Sequence, residues 1–170
     1  MFIQKILFTK EECDSILGLA TTWNSSMVLV NKTKSYISTR RNSLESIIST
    51  TVELNDIILT KLNKFNIDSL PNTNKLIKYT SGSFFVNHKD RSEFTPNRLL
   101  TLIIQLSDDI DYTGAELLVK GNVVSKKIGN LILFDSGIYH EVTPLISGER
   151  YVFVTWIEKE NISPLTKTLL

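Results

Sequence analysis

The sequence predicts a mostly β protein, a jelly roll (double-stranded β-helix) with flanking N-terminal helices, on three observations. Short strand-like runs recur from Asn74 onward, turn residues separate them at regular spacing, and two capped amphipathic segments precede them. The 170 residues suit one domain with a real core, divided into a helical support region with the first strands over 1–73 and a jelly-roll core over 74–170.

In the support region, Thr9-Lys10-Glu11-Glu12 reads as a capping box, with Cys13, Ile16, Leu17, Ala20 and Trp23 following on one helical face. Thr50-Thr51-Val52-Glu53 reads as a second box, ahead of Leu54, Ile57, Ile58, Leu62 and Phe65. Leu44, Ile47 and Ile48 fit the same stripe, so this helix could begin near Ser43. Met27–Val30 and Ser35–Arg40 read as short strands between the helices. The expected core strands are Leu76–Tyr79, Phe84–His88, Leu99–Leu106, Glu116–Val119, Asn122–Lys126, Leu131–Phe134, Glu141–Pro144 and Tyr151–Ile157.

Composition narrows the function. With 42% hydrophobic residues and a net charge of +1, the chain lacks the broad basic field of a nucleic-acid binder. The nearest thing to a basic patch is Lys32, Lys34, Arg40 and Arg41. No apolar run is long enough to span a membrane. Met1–Phe8 is too short for a signal h-region with a cleavage site, and the single Cys13 excludes an internal disulfide. A cytoplasmic location is the expectation. Oligomeric state is left open.

Only two histidines occur. His88 sits two residues before Asp90, and side chains at i and i+2 of an extended strand share a face, so the pair can converge on one point. His140 lies near the end of another expected strand. Two imidazoles and a carboxylate form the facial ligand set of non-haem Fe(II) oxygenases and leave three positions open, two for a co-substrate and one for O2. Arg150 opens the apolar strand after His140 and is expected beside the strand carrying it. There it could bind a carboxylate bidentately, since a buried arginine without a partner would be costly. Each residue alone has an ordinary explanation, such as an exposed histidine or a surface ion pair. Their agreement with a jelly-roll pattern favours a metal site.

The stretch from Tyr79 to Ile157 resembles the prolyl 4-hydroxylase-like Fe(II)/2-oxoglutarate dioxygenases. The resemblance is carried by Tyr79, His88-x-Asp90, Arg98-Leu99-Leu100-Thr101, Tyr112 through Leu117, Gly129 through Phe134, His140 through Pro144, Gly148-Glu149-Arg150 and Trp156. It implies that His88, Asp90 and His140 hold iron and that Arg150 and Tyr79 hold the distal carboxylate of 2-oxoglutarate. Thr101 and Trp156 would line that pocket. Gln105 falls beside the place where relatives often carry a second tyrosine against the co-substrate, and Ala115 replaces the second glycine of a Gly-Gly pair. The implied chemistry is hydroxylation of an unactivated C–H bond with Fe(II), 2-oxoglutarate and O2, releasing succinate and CO2. A prolyl or other amino-acid residue in a peptide, or a free amino acid, is the implied substrate. Tyr36, Arg40, Arg91 and Phe94 are the candidates to shape its site, each with an ordinary reading as loop or packing residue. DNA dealkylation is disfavoured because position 156 is tryptophan rather than a second arginine. The competing readings are a cupin-type metal enzyme that does not use 2-oxoglutarate and a non-catalytic jelly-roll module that binds peptide.

Overall fold

The computed structural model describes residues 1–31, 34–36 and 39–162, with the backbone alone for 28–31 and 34–36. In chain order the first elements are β1 (Phe2–Ile6), α1 (Lys10–Leu17), β2 (Asn24–Ser25), β3 (Val28–Asn31), β4 (Lys34–Tyr36), β5 (Arg41–Asn42), β6 (Leu44–Ser49) and α2 (Val52–Leu62). The jelly-roll strands follow as β7 (Thr73–Tyr79), β8 (Phe84–His88), β9 (Arg98–Gln105), β10 (Tyr112–Gly114), β11 (Leu117–Val119) and β12 (Asn122–Val123). The last are β13 (Asn130–Asp135), β14 (His140–Val142), β15 (Leu145–Gly148) and β16 (Arg150–Glu158).

The larger sheet has seven strands in the order β1-β13-β9-β16-β7-β6-β2, and the smaller has five in the order β12-β11-β14-β8-β5. β10 pairs with β15, and β3 with β4. Every pairing is antiparallel, as a meandering all-β chain requires.

The two-residue period of a strand divides the core in two. On β16, Phe153 and Ile157 face outward and join Leu76, Leu100, Leu102, Ile104, Leu131 and Leu133 beneath the helices. Val152 faces the opposite way and joins Ile77, Ile103, Ile132 and Phe134 between the sheets. The central strands are therefore nearly continuous apolar runs, because both of their faces are covered.

α1 starts where expected. The Thr9 hydroxyl accepts from the Glu12 amide at 3.2 Å, and the Glu12 carboxylate accepts from the Thr9 amide at 2.9 Å. The helix stops at Leu17, so Ala20 and Trp23 pack on the core from the segment that follows it. α2 lays Leu54, Ile58 and Leu62 into the same layer at helical spacing, all fully buried. Its cap is Thr51, which accepts from Leu54 N at 3.1 Å, one residue beyond the expected box, while Thr50 bonds instead to the Pro71 carbonyl.

The early start of α2 near Ser43 does not hold. Leu44–Ser49 is a strand because it pairs along its length with β7, which buries Ile48 and leaves Ile47 exposed. β1, β2, β5, β10 and β15 were not anticipated either, and the expected strand Asn122–Lys126 shortens to β12. Positions 32, 37 and 38 lie outside the described residues, and with them Lys32 of the basic patch. Ala115, in the place of a glycine, takes φ 49° after Gly114 at φ 80°. A side chain in the left-handed region costs about 1–2 kcal/mol. The turn thus keeps the glycine-like backbone without the glycine.

Candidate active site

β8 and β14 are neighbours in the smaller sheet, with His88 directly opposite His140. Paired residues share a face, so both imidazoles enter the space between the sheets, with ring centroids 4.1 Å apart. Each Nδ1 donates to the carbonyl two residues earlier, His88 to Val86 at 2.9 Å and His140 to Ile138 at 3.0 Å. A carbonyl can only accept, so both Nε2 atoms are left with lone pairs for the site. The ring of Phe85 stacks on His88 at 3.5 Å.

Asp90 joins them, though not from a strand as expected. β8 ends at His88, and Asp90 stands in the bend beyond it. The Ser136 carbonyl pins that bend by accepting from the amides of both Asp90 and Arg91. One carboxylate oxygen lies 3.6 Å from His88 Nε2, and the other lies 3.3 Å from His140 Nε2. The second oxygen also accepts from the Thr101 hydroxyl at 2.7 Å, which is itself 3.0 Å from the Ser136 hydroxyl. One potential ligand atom from each of the three residues falls within 4.8 Å of the others.

Burial works against charge at Asp90, yet the close imidazoles of His140 and His88 hold its carboxyl well below the usual carboxylate range. Burial lowers the pKa of His88. At His140 burial acts in the same direction, but the adjacent Asp90 outweighs it and the pKa is raised. The three groups form a site with an ionised oxygen and two imidazole nitrogens turned toward one point.

Arg150 is not beside the His140 strand. It opens β16 in the larger sheet, directly opposite Tyr79 on β7, and faces the cluster from across the core. The crossover through β15 moves the chain from one sheet to the other before Arg150 is reached. The residue is 2% exposed. Nε and Nη2 donate to Gln105 Oε1 at 3.2 and 2.8 Å, and Nη1 has no hydrogen-bond partner among the described residues. Gln105 in turn donates to the Tyr112 hydroxyl at 2.5 Å. Tyr79 presents its ring 5.2 Å from the guanidinium carbon.

A single cavity is lined by Tyr79, Thr101, Arg150 and Trp156 together with His88, Asp90 and His140. Gln105 is absent from its wall and acts on it through Arg150. Phe85, His88, Asp90 and Trp156 also border an outer cleft of about 600 Å³. Arg40, Arg91 and Phe94 line that cleft. Arg91 is held by Asp135 at 2.7 Å, and the side chain of Tyr36 lies outside the described residues.

Sequence reading missed Ser136, Tyr112 and Arg98 as site-building residues. Tyr112 and Arg98 stood within motifs that assigned them no role, and Ser136 contributes mainly through its backbone, which leaves no side-chain signal.

Two imidazole nitrogens and a carboxylate suit a first-row divalent ion, and the orphaned guanidinium edge across the same cavity suits an anionic co-substrate. Fold and site together define a jelly-roll, metal-dependent oxygenase. Residues 74–158 match the 2OG-Fe(II) oxygenase superfamily, and the chain belongs to it. It is an oxygenase, whose cofactors are Fe(II), 2-oxoglutarate and O2.

Among curated proteins it is similar to a PKHD-type hydroxylase of Synechococcus elongatus, at 25% identity over 178 residues, covering 99% of this chain and 78% of that one. Among solved structures it resembles a Pseudomonas putida prolyl-4-hydroxylase, with a TM-score of 0.71 at 18% identity over 92% of this chain and 91% of that one. It also resembles the collagen prolyl hydroxylase of Paramecium Bursaria Chlorella virus-1 in its 2OG complex. That match has a TM-score of 0.67 at 21% identity, over 91% of this chain and 94% of that one. Both structures share its fold.

Proposed function

We propose that this hydroxylase acts on a prolyl or other amino-acid residue in a peptide, or on a free amino acid, and releases succinate and CO2. The observation that carries the reading is the buried, half-satisfied Arg150 guanidinium across one cavity from the His88–Asp90–His140 cluster. The names of the relatives, a PKHD-type hydroxylase and a collagen prolyl hydroxylase, support a peptidyl substrate with proline first.

His88, Asp90 and His140 would hold Fe(II) through Nε2, a carboxylate oxygen and Nε2. Bound iron and 2-oxoglutarate supply the oxidation, in which one atom of O2 ends in succinate and the other in the hydroxylated product. Arg150 would receive the distal carboxylate on its free Nη1 edge, with Tyr79 beside it. Thr101 holds Asp90 as an anion in one orientation, and Trp156 stands between the inner cavity and the outer cleft. The substrate would enter by that cleft, where Arg40, Arg91 and Phe94 form part of the wall. The buried, unpaired Cys13 supports a reducing, cytoplasmic setting.

The test is a mass-spectrometric screen of amino acids and proline-containing peptides with Fe(II) and 2-oxoglutarate. We expect a product heavier by one oxygen, succinate formed alongside it, and neither product in His88→Ala or Asp90→Ala. Conversion of 2-oxoglutarate that persists in both variants would refute the ligand assignment. A screen in which 2-oxoglutarate is consumed but neither peptides nor amino acids gain oxygen would refute the substrate class.

A further inference from the structure

We infer that the outer cleft selects an acidic peptide, one with Asp or Glu side chains flanking the hydroxylated residue. The inference rests on the hydroxylase reading above and narrows its substrate class. Among the described residues, six cations line the cleft, Arg40, Arg41, Lys75, Lys89, Arg91 and Arg98, against one acid, Asp90, which belongs to the candidate metal cluster. The chain as a whole carries a net charge of only +1, so this concentration is local.

Nearby acids offset part of it. Arg41 and Lys75 share Glu45, at 3.9 and 2.9 Å, and Arg91 is paired with Asp135 at 2.7 Å. Lys89 and Arg98 have no carboxylate in ion-pair range among the described residues. Each is instead held over a ring, with Lys89 4.5 Å from the Tyr139 centroid and Arg98 3.8 Å from that of Trp156. An aromatic face orients a cation without cancelling its charge. Positive charge at the cleft is therefore fixed in place, fully at Lys89 and in part at Arg98, whose charge Asp90 and Glu158 offset from beyond ion-pair range.

The co-substrate does not account for it. The anionic groups of 2-oxoglutarate are met in the inner cavity by the metal cluster and Arg150, and neither Lys89 nor Arg98 lines that cavity. The remaining anion has to come from the substrate. A bounded cleft in a nearly neutral chain suits a few carboxylates better than a polyanionic backbone, which needs an extended basic track.

The test uses three proline-centred nonapeptides that differ only in carrying Asp, Gln or Lys at the positions flanking proline. Turnover by the iron enzyme gives kcat/KM. Binding of the labelled peptides to Mn(II)-loaded protein with 2-oxoglutarate is read by fluorescence anisotropy. Exposed ion pairs contribute a few-fold each, so two or three together predict roughly tenfold preference for Asp over Gln, more over Lys, and collapse of the preference in high salt. Lys89→Gln should narrow the Asp:Gln ratio several-fold, and Lys89→Arg should restore it.

Equal or weaker binding of the Asp peptide overturns the inference, as does a single-stranded RNA oligonucleotide that binds more tightly than the Asp peptide. If 2-oxoglutarate is consumed while the three peptides behave alike, only the cleft assignment fails. If the Asp preference in binding holds and no peptide or amino acid is ever oxidised, the proposed reaction fails and the basic, acid-selecting cleft stands.

Discussion

Replacing Gln105 with leucine tests whether Arg150 is held in place by a neutral amide. The substitution keeps roughly the same volume in a buried position but removes the oxygen that accepts from Nε and Nη2, and the donor to Tyr112. A hydrogen bond to a charged group contributes about 1.5–3 kcal/mol, and here two N–H groups share a single acceptor. Taking roughly 2 kcal/mol for that acceptor, and assigning all of it to co-substrate binding, gives about a 30-fold rise in the dissociation constant of 2-oxoglutarate. Any part that appears as lost stability lowers this figure, so chemical denaturation of the same variant is measured beside it. Binding is followed anaerobically with Fe(II), by calorimetry or by the weak visible absorption of the chelate. Gln105→Glu separates the two contributions. A carboxylate there pairs with Arg150 and restores stability, yet competes with the co-substrate carboxylate, so affinity falls further while the midpoint of unfolding recovers. Wild-type affinity for 2-oxoglutarate in both variants would refute the reasoning.

Arg150→Lys keeps the charge but loses the planar fork, and we expect the 2-oxoglutarate concentration for half-maximal succinate release to rise about 100-fold or more. Thr101→Val removes the 2.7 Å hydrogen bond that fixes Asp90 and should weaken metal binding about 10- to 100-fold, as titrated with Co(II) or Mn(II). Burial pushes the Cys13 thiol up to about 11, so the folded chain keeps a proton that the unfolded chain loses near pH 9. Stability from this group is full below pH 9 and falls as pH rises toward 11, by at most about 2–3 kcal/mol. Denaturation at pH 8 and pH 10.5 should show that extra loss in the wild type relative to Cys13→Ala.

Much of this site could be read in one dimension because its chemistry is local there. His88 and Asp90 are two residues apart, and strands such as Phe84–His88 carry their own period and their own turn signals. What could not be read depends on distant pairing. Leu44, Ile47 and Ile48 fit a helical stripe as well as a short strand, and hydrogen bonding to β7 decides between them by turning Ile47 out and Ile48 in. Arg150 follows His140 closely in sequence, yet the intervening β15 pairs with β10 and carries the chain to the other sheet. The resemblance placed Gln105 near the co-substrate, but no charge or period marks it as the partner of Arg150. Its role comes entirely from a neighbour 45 residues away.

The division of the site between two sheets has its own physical consequence. The three candidate metal ligands come from the smaller sheet and the bend after it, whereas Arg150 and Tyr79 stand on central strands of the larger one. Stacked sheets lie about 10 Å apart, so the gap that a chelating diacid must span is set by the side chains filling the layer between them. Ile103, Phe134 and Val152 occupy that layer, and the Phe134 ring meets His140 edge-on with centroids 4.9 Å apart. These apolar residues thus act as spacers for the chemistry. A close-packed interior passes a change of volume on as a displacement rather than absorbing it. Substitutions among them should therefore alter co-substrate affinity before they alter the candidate metal site, whose proposed ligands are fixed by short-range hydrogen bonds to Val86, Ile138 and Thr101.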